Sequence, residues 1–134
     1  MRFLLDTNVC IAALKGHKTV CENLEQLSPK DCAVSTITVL ELLTGVFKCR
    51  EPDRQLPKVQ RFLSVLYILP FDDAAASSAA NLRANLESNG TKIDPYDTLI
   101  AGHALTTNLT IVTHNTKEFS RVKNLTVQDW QTES

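Results

Sequence analysis

The sequence predicts an α/β fold with a mostly parallel central sheet, built as one domain over residues 1–134. Three observations lead there. Short aliphatic and β-branched runs alternate with longer segments of helical periodicity, the pattern of repeated strand–helix units. A chain of 134 residues with 43% hydrophobic and 22% charged content is long enough to bury a substantial core. Four acids, Asp6, Glu41, Asp97 and Glu118, each fall near a helix start that follows a strand-like segment. A parallel sheet collects its strand-to-helix turns along one edge, so acids far apart in sequence can meet there.

Taken in order, Arg2–Leu5 reads as a strand and Thr7–Leu14 as a helix that ends near Lys15-Gly16. A second helix is expected over Thr19–Leu27, stopped by Ser28-Pro29, and Cys32–Val34 is a brief apolar strand. Val39, Leu40, Leu43, Val46 and Phe47 recur at i, i+3, i+4 spacing and predict an amphipathic helix with these residues inward. Arg50–Arg54 is polar, contains Pro52 and reads as a loop; Pro57 then opens a helix carrying Val59, Phe62, Leu63 and Leu66. Tyr67–Pro70 is strand-like. Asp72 or Asp73 caps an Ala-rich helix that Asn89-Gly90 closes. Pro95 occupies the first position of a helix reaching about Thr106. Thr110–Thr113 is the strongest strand signal. A helical turn over Thr116–Arg121 and a last strand at Leu125–Val127 follow, with Trp130 anchoring the tail. The order of strands in the sheet is not legible.

Composition narrows the function classes. No apolar run is long enough for a bilayer span, and Asp6 interrupts the opening hydrophobic residues too early for a signal peptide, so a cytoplasmic protein is expected. Cys10, Cys21, Cys32 and Cys49 form no C-x-x-C pair and read as reduced structural thiols. Net charge is −1, but without the four acids the remainder is mildly basic, with Lys and Arg grouped over 48–61 and 117–123. There is no Walker loop, serine elbow or glycine-rich dinucleotide turn.

The acids admit two readings. As caps, Asp6 begins a helix, Thr38–Glu41 and Asn115–Glu118 match capping boxes, and Asp94 caps a helix with Asp97 in its first turn. As a site, converged carboxylates resist joint ionisation, and a hard cation such as Mg²⁺ relieves that conflict through oxygen ligands. Glu41 favours the second reading because Leu40, Leu42 and Leu43 flank it, and a lone buried charge is costly. Asn8, Thr113, Asn115 and Thr116 add polar groups that hold carboxylates and metal waters near the same edge. His103 reads as a packed core histidine, His17 as exposed, and His114 as a group beside the site.

The motifs Leu4–Asn8, Ser35–Leu42, Pro95–Ala104 and Ile111–Phe119 together resemble those of PIN-domain ribonucleases, above all the VapC toxins of bacterial toxin–antitoxin pairs. The resemblance covers essentially the whole chain. It implies an α/β/α sandwich, Mg²⁺- or Mn²⁺-dependent cleavage of RNA, a homodimer, and a small cognate antitoxin that blocks the site. It places the family's acids on Asp6, Glu41 and Asp97, with Glu118 at a fourth position that is often Asp. Two other classes remain in view. One is a receiver-like Mg²⁺-binding signalling module, which lacks here the Lys after its last strand; the other is a PIN-like domain that binds RNA without cutting it.

Overall fold

The computed structural model describes residues 1–132. Five strands, β1 (Phe3–Leu5), β2 (Cys32–Ser35), β3 (Tyr67–Leu69), β4 (Thr110–Val112) and β5 (Val127–Gln128), pair in the order β3-β2-β1-β4-β5, and every pairing is parallel. Seven helices connect and cover them: α1 (Thr7–Leu14), α2 (Lys18–Gln26), α3 (Thr36–Lys48), α4 (Pro52–Ser64), α5 (Asp73–Ser88), α6 (Pro95–Thr107) and α7 (Thr116–Phe119).

Alternation along the strands feeds two cores. Phe3 and Leu5 of β1 and Cys32 and Val34 of β2 point to one face, where Val9, Val20, Leu42, Val46 and Leu63 come down from α1–α4. Leu4, Ala33 and Ile111 point to the other, against Leu82, Leu86, Ile100, Ala104 and Phe119 of α5, α6 and α7. Burial on both faces is why these strands read as apolar runs rather than alternating ones. Trp130 closes the first core, edge-on to Phe3 with ring centroids 5.3 Å apart, which bears out its role as tail anchor. The four cysteines are free, and Cys10 and Cys32 are buried. Burial pushes the Cys32 thiol up to about 11.

Four expectations are corrected. The segment read as a loop over 50–54 is helical from Pro52, because Pro52 takes the first helical position, where its missing N–H is no loss. Pro57 therefore sits inside α4, on its exposed side, where water can reach the carbonyl left without an amide partner. In α3 Thr38, Leu42 and Val46 are buried, and Val39 and Leu43 pack against the core as expected, but Leu40 and Phe47 are exposed. Leu40 and Phe47 continue the apolar stripe beyond the packed residues, which periodicity alone does not show. Its N-cap is Ser35, whose hydroxyl accepts from the Ile37 amide at 3.1 Å. Thr38 consequently lies inside the helix and heads no capping box. Finally, α6 does not follow a strand; it follows α5 and a turn ended by Gly90 at φ +68°.

The α5–α6 pair is the tightest helix contact. A Cβ at Gly102 would stand 2.5 Å from the Ala79 Cα, so only glycine allows this approach. Ser78 Oγ donates to the Gly102 carbonyl at 2.7 Å across the same crossing. No described helix is long and apolar enough to cross a membrane.

Candidate active site

The strand order reverses between β1 and β4, and in parallel sheets the crevice beyond the carboxyl ends of such neighbours is where ligands bind. Asp6 follows β1 there and Thr113 follows β4. The Asp6 amide donates to the Val112 carbonyl at 2.9 Å, which locks the two strand ends together.

Asp6 occupies the N-cap position of α1 but makes no side-chain cap bond. Its carboxylate instead accepts from Thr113 Oγ1 at 2.8 Å, and the residue is 2% exposed. Burial raises its pKa to about 6; the Thr113 bond works against that rise, and the charges of Glu41 and Asp94 add to it. Glu41 lies in the second turn of α3, partly buried rather than sealed in. Thr7 Oγ1 donates to its Oε1 at 2.7 Å, and Thr38 Oγ1 stands 3.2 Å from the same Thr7 hydroxyl.

Asp97 reaches the crevice from the first turn of α6. Asp94 caps that helix, its Oδ1 accepting from the Tyr96 and Asp97 amides at 2.9 and 3.3 Å. Glu118 comes from α7. Asn115 ties the pair, its Nδ2 donating to Glu118 Oε2 at 2.6 Å and to Asp97 Oδ2 at 3.4 Å. It makes no side-chain cap bond to α7, so the capping-box reading fails here too. Burial first, and then the adjoining Glu118 carboxyl and the charges of Asp6 and Asp94, together raise the Asp97 pKa to about 8. Glu118 moves the other way, held below its usual range by the Asp97 hydrogen bond and then by Asn115. Of the two, Asp97 is the acid that holds a proton more readily. Thr113 Oγ1 also accepts from the Asn115 amide at 3.0 Å, so one chain of hydrogen bonds runs from Asp6 to Glu118.

Three of the predicted acids, Asp6, Asp97 and Glu118, are joined through the predicted Thr113 and Asn115; Glu41 is held outside that chain by Thr7, close enough for its charge to act on Asp6. Asn8 and Thr116 are exposed and hydrogen-bond to none of the four acids. Thr7 and Thr38 were missed; a small hydroxyl directly after Asp6 was the available signal. His103 is buried, with Nδ1 2.9 Å from Ser35 Oγ and its ring edge-on to Phe71, and burial lowers its pKa. His114 turns to Asp129 at 3.1 Å.

The donor set is all oxygen, and two of its members are kept from full ionisation by burial and by one another. Such a set fits a hard divalent cation, which relieves the conflict. Among the described residues no three His, Cys, Asp or Glu side chains form a ready-made cage. An ion that keeps several of its own waters, as Mg²⁺ does, suits that openness.

Known proteins share this fold. The PIN domain family model matches residues 3–125. The tRNA(fMet)-specific endonuclease VapC of Shigella flexneri is 38% identical over 130 residues, covering 97% of this chain and 98% of the relative. The DNA-bound VapBC structure from Salmonella typhimurium superposes with a TM-score of 0.93 at 37% identity, over 97% of this chain and 98% of that one. VapBC-5 from Mycobacterium tuberculosis, described as a member of the VapBC family of toxin-antitoxin systems, gives a TM-score of 0.69 at 27% identity, with 98% of each chain covered. The receiver reading loses its footing on these matches.

Proposed function

The chain belongs to the PIN-domain family, and on that premise we propose that it is a divalent-metal-dependent ribonuclease, the toxin half of a toxin–antitoxin pair. The reading is supported by the hydrogen-bond chain that joins Asp6, Asp97 and Glu118 where the strand order reverses, with Glu41 held by Thr7 near Asp6. These four acids are the residues that would hold Mg²⁺ or Mn²⁺. When bound, such an ion supplies a water of lowered pKa and offsets charge at the scissile phosphate.

The protein's own groups position and move protons. Thr113 fixes the Asp6 carboxylate, and Thr7 fixes one oxygen of Glu41, leaving the other to take a proton from the attacking water. Asn115 holds Glu118 beside Asp97, whose carboxyl would have to be deprotonated to hold a cation, so affinity for the ion should rise with pH. Asn8 and Thr116 are exposed and would serve the outer waters of such an ion. Lys117, Arg121 and Lys123 grip the RNA backbone, with affinity that falls as salt rises. The protein acts as a homodimer, for which exposed Leu40 and Phe47 offer apolar surface, and a small cognate antitoxin silences it.

Chelation tests the reading. Cleavage of RNA by the purified chain should stop with EDTA and return with excess Mg²⁺, and Asp6→Asn should be inactive while keeping the wild-type circular dichroism. Equal cleavage by Asp6→Asn, or by metal-stripped protein, would overturn it.

A further inference from the structure

A second concave region lies away from the acids. It is a cavity of about 650 Å³ between α5, the end of α6 and the segment after α7. Asn81, Asn85 and Asn89 line it from α5 at i, i+4, i+8 spacing, with Asn108 at the C-cap of α6 opposite. Arg121, Lys123 and Asn124 form the third wall. No Asp or Glu lines it.

Asn108 and Asn124 have a backbone reason to be asparagine, since both adopt left-handed φ values, 58° and 68°. Asn81 and Asn85 have none. They sit inside a helix, where asparagine is a poor former, and on its exposed side, where no packing demands them. Among the described residues neither carboxamide is committed to a hydrogen bond, and Lys123 is in no ion pair. Free carboxamides offer a donor and an acceptor side by side, the match for an unpaired base edge. Lys123, which pairs with no carboxylate, and Arg121, whose charge also acts on Glu118, match phosphates. Arg121 links this cavity to the acids: it comes three residues after Glu118, its amide bonded to the Glu118 carbonyl at 3.1 Å and its Nη1 to the Lys92 carbonyl at 2.9 Å.

We propose that this carboxamide-lined groove is a distal subsite for unpaired RNA, in which Asn81 and Asn85 read base edges while Arg121 and Lys123 hold the backbone leading to the acids. The proposal rests on the ribonuclease reading and names the form of its substrate, a single-stranded stretch flanking the cut bond. Bases in a duplex present their edges inside grooves too narrow or too shallow for such contacts.

The experiment measures binding of a fluorescent, unstructured oligoribonucleotide by anisotropy, in Mg²⁺, to full-length Asp97→Asn protein with further substitutions. The double change Asn81→Ala with Asn85→Ala should weaken binding about tenfold, and Lys123→Ala should lower the slope of log affinity against log salt by about 0.7. Arg83→Ala, on the opposite flank of α5, should bind like its parent. Unchanged affinity in both groove variants overturns the proposal, as does equal weakening by Arg83→Ala, or a loss confined to antitoxin capture. Cleavage is read separately. If Asp97→Asn still cuts RNA, the acid-site assignment fails while the groove result stands; if Asp97→Asn is dead and the groove variants bind normally, the groove alone fails.

Discussion

The two ends of α6 are built on opposite principles. Its first turn carries Asp94 and Asp97 beside Asp6 and Glu118, and nearly every polar group there is engaged. Its C-cap, Asn108, faces a cavity of carboxamides and two cations, in which Asn81, Asn85 and Lys123 are committed to no side-chain bond among the described residues. The polarity agrees with the helix dipole, which favours negative charge at the N-terminus and positive charge at the C-terminus. A group fixed by neighbours serves chemistry that needs one geometry, whereas a group left free serves a ligand that supplies its own partners.

The largest effect should separate the two ends outright. Asp97→Asn should lower the cleavage rate by about 10³-fold or more, measured as kcat on RNA in saturating Mg²⁺, with KM little changed. A loss confined to KM would erase the distinction.

The acid end should also make the metal-free protein pH-sensitive. Asp6 and Asp97 bind protons more tightly folded than unfolded, so folding takes up protons above the unfolded value of 3.8. Stability is greatest below that value and falls as pH rises, through about 6 for Asp6 and about 8 for Asp97. Asp6 alone contributes a loss on the order of 3 kcal/mol. Urea unfolding in EDTA at pH 5 and pH 8.5 checks this, and Asp6→Asn should flatten the decline. Stability rising with pH would contradict it.

Gly102→Ala probes the crossing that sets both regions in place. A Cβ 2.5 Å from the Ala79 Cα must push α5 off α6, at about 2 kcal/mol, read as a lower urea midpoint. The smallest change is Thr113→Val. It removes the hydroxyl that holds Asp6 and should reduce Mn²⁺ affinity, measured by calorimetry, about tenfold without altering RNA binding to the groove.

Much of this was legible in the chain. Pro95 and Asp94 announced the start of α6, Asn89-Gly90 the end of α5, and the apolar runs at residues 3–5 and 110–112 the central strands. Local steric and hydrogen-bonding preferences decide such features, and they travel with the residue. The width of the inward face of α3 was only partly legible: Val39, Leu43 and Val46 pack inward as read, but Leu40 and Phe47 continue the same apolar stripe and are left exposed. The way Asp97 arrives was not legible. It reads as another acid after a strand, yet it is brought in by a helix pair that packs at Gly102.

The sequence by itself determined which residues are acids, which segments are strands and helices, and that the sheet is parallel, since each follows from covalent geometry, side-chain size and the alternation of elements. Only the tertiary structure decided the strand order that opens the crevice between β1 and β4, the network through Thr113 and Asn115, and the groove that gathers asparagines from α5, α6 and the segment after α7. Those features depend on distances between residues as far apart as 6 and 113, and such distances are set by the packing of both cores at once.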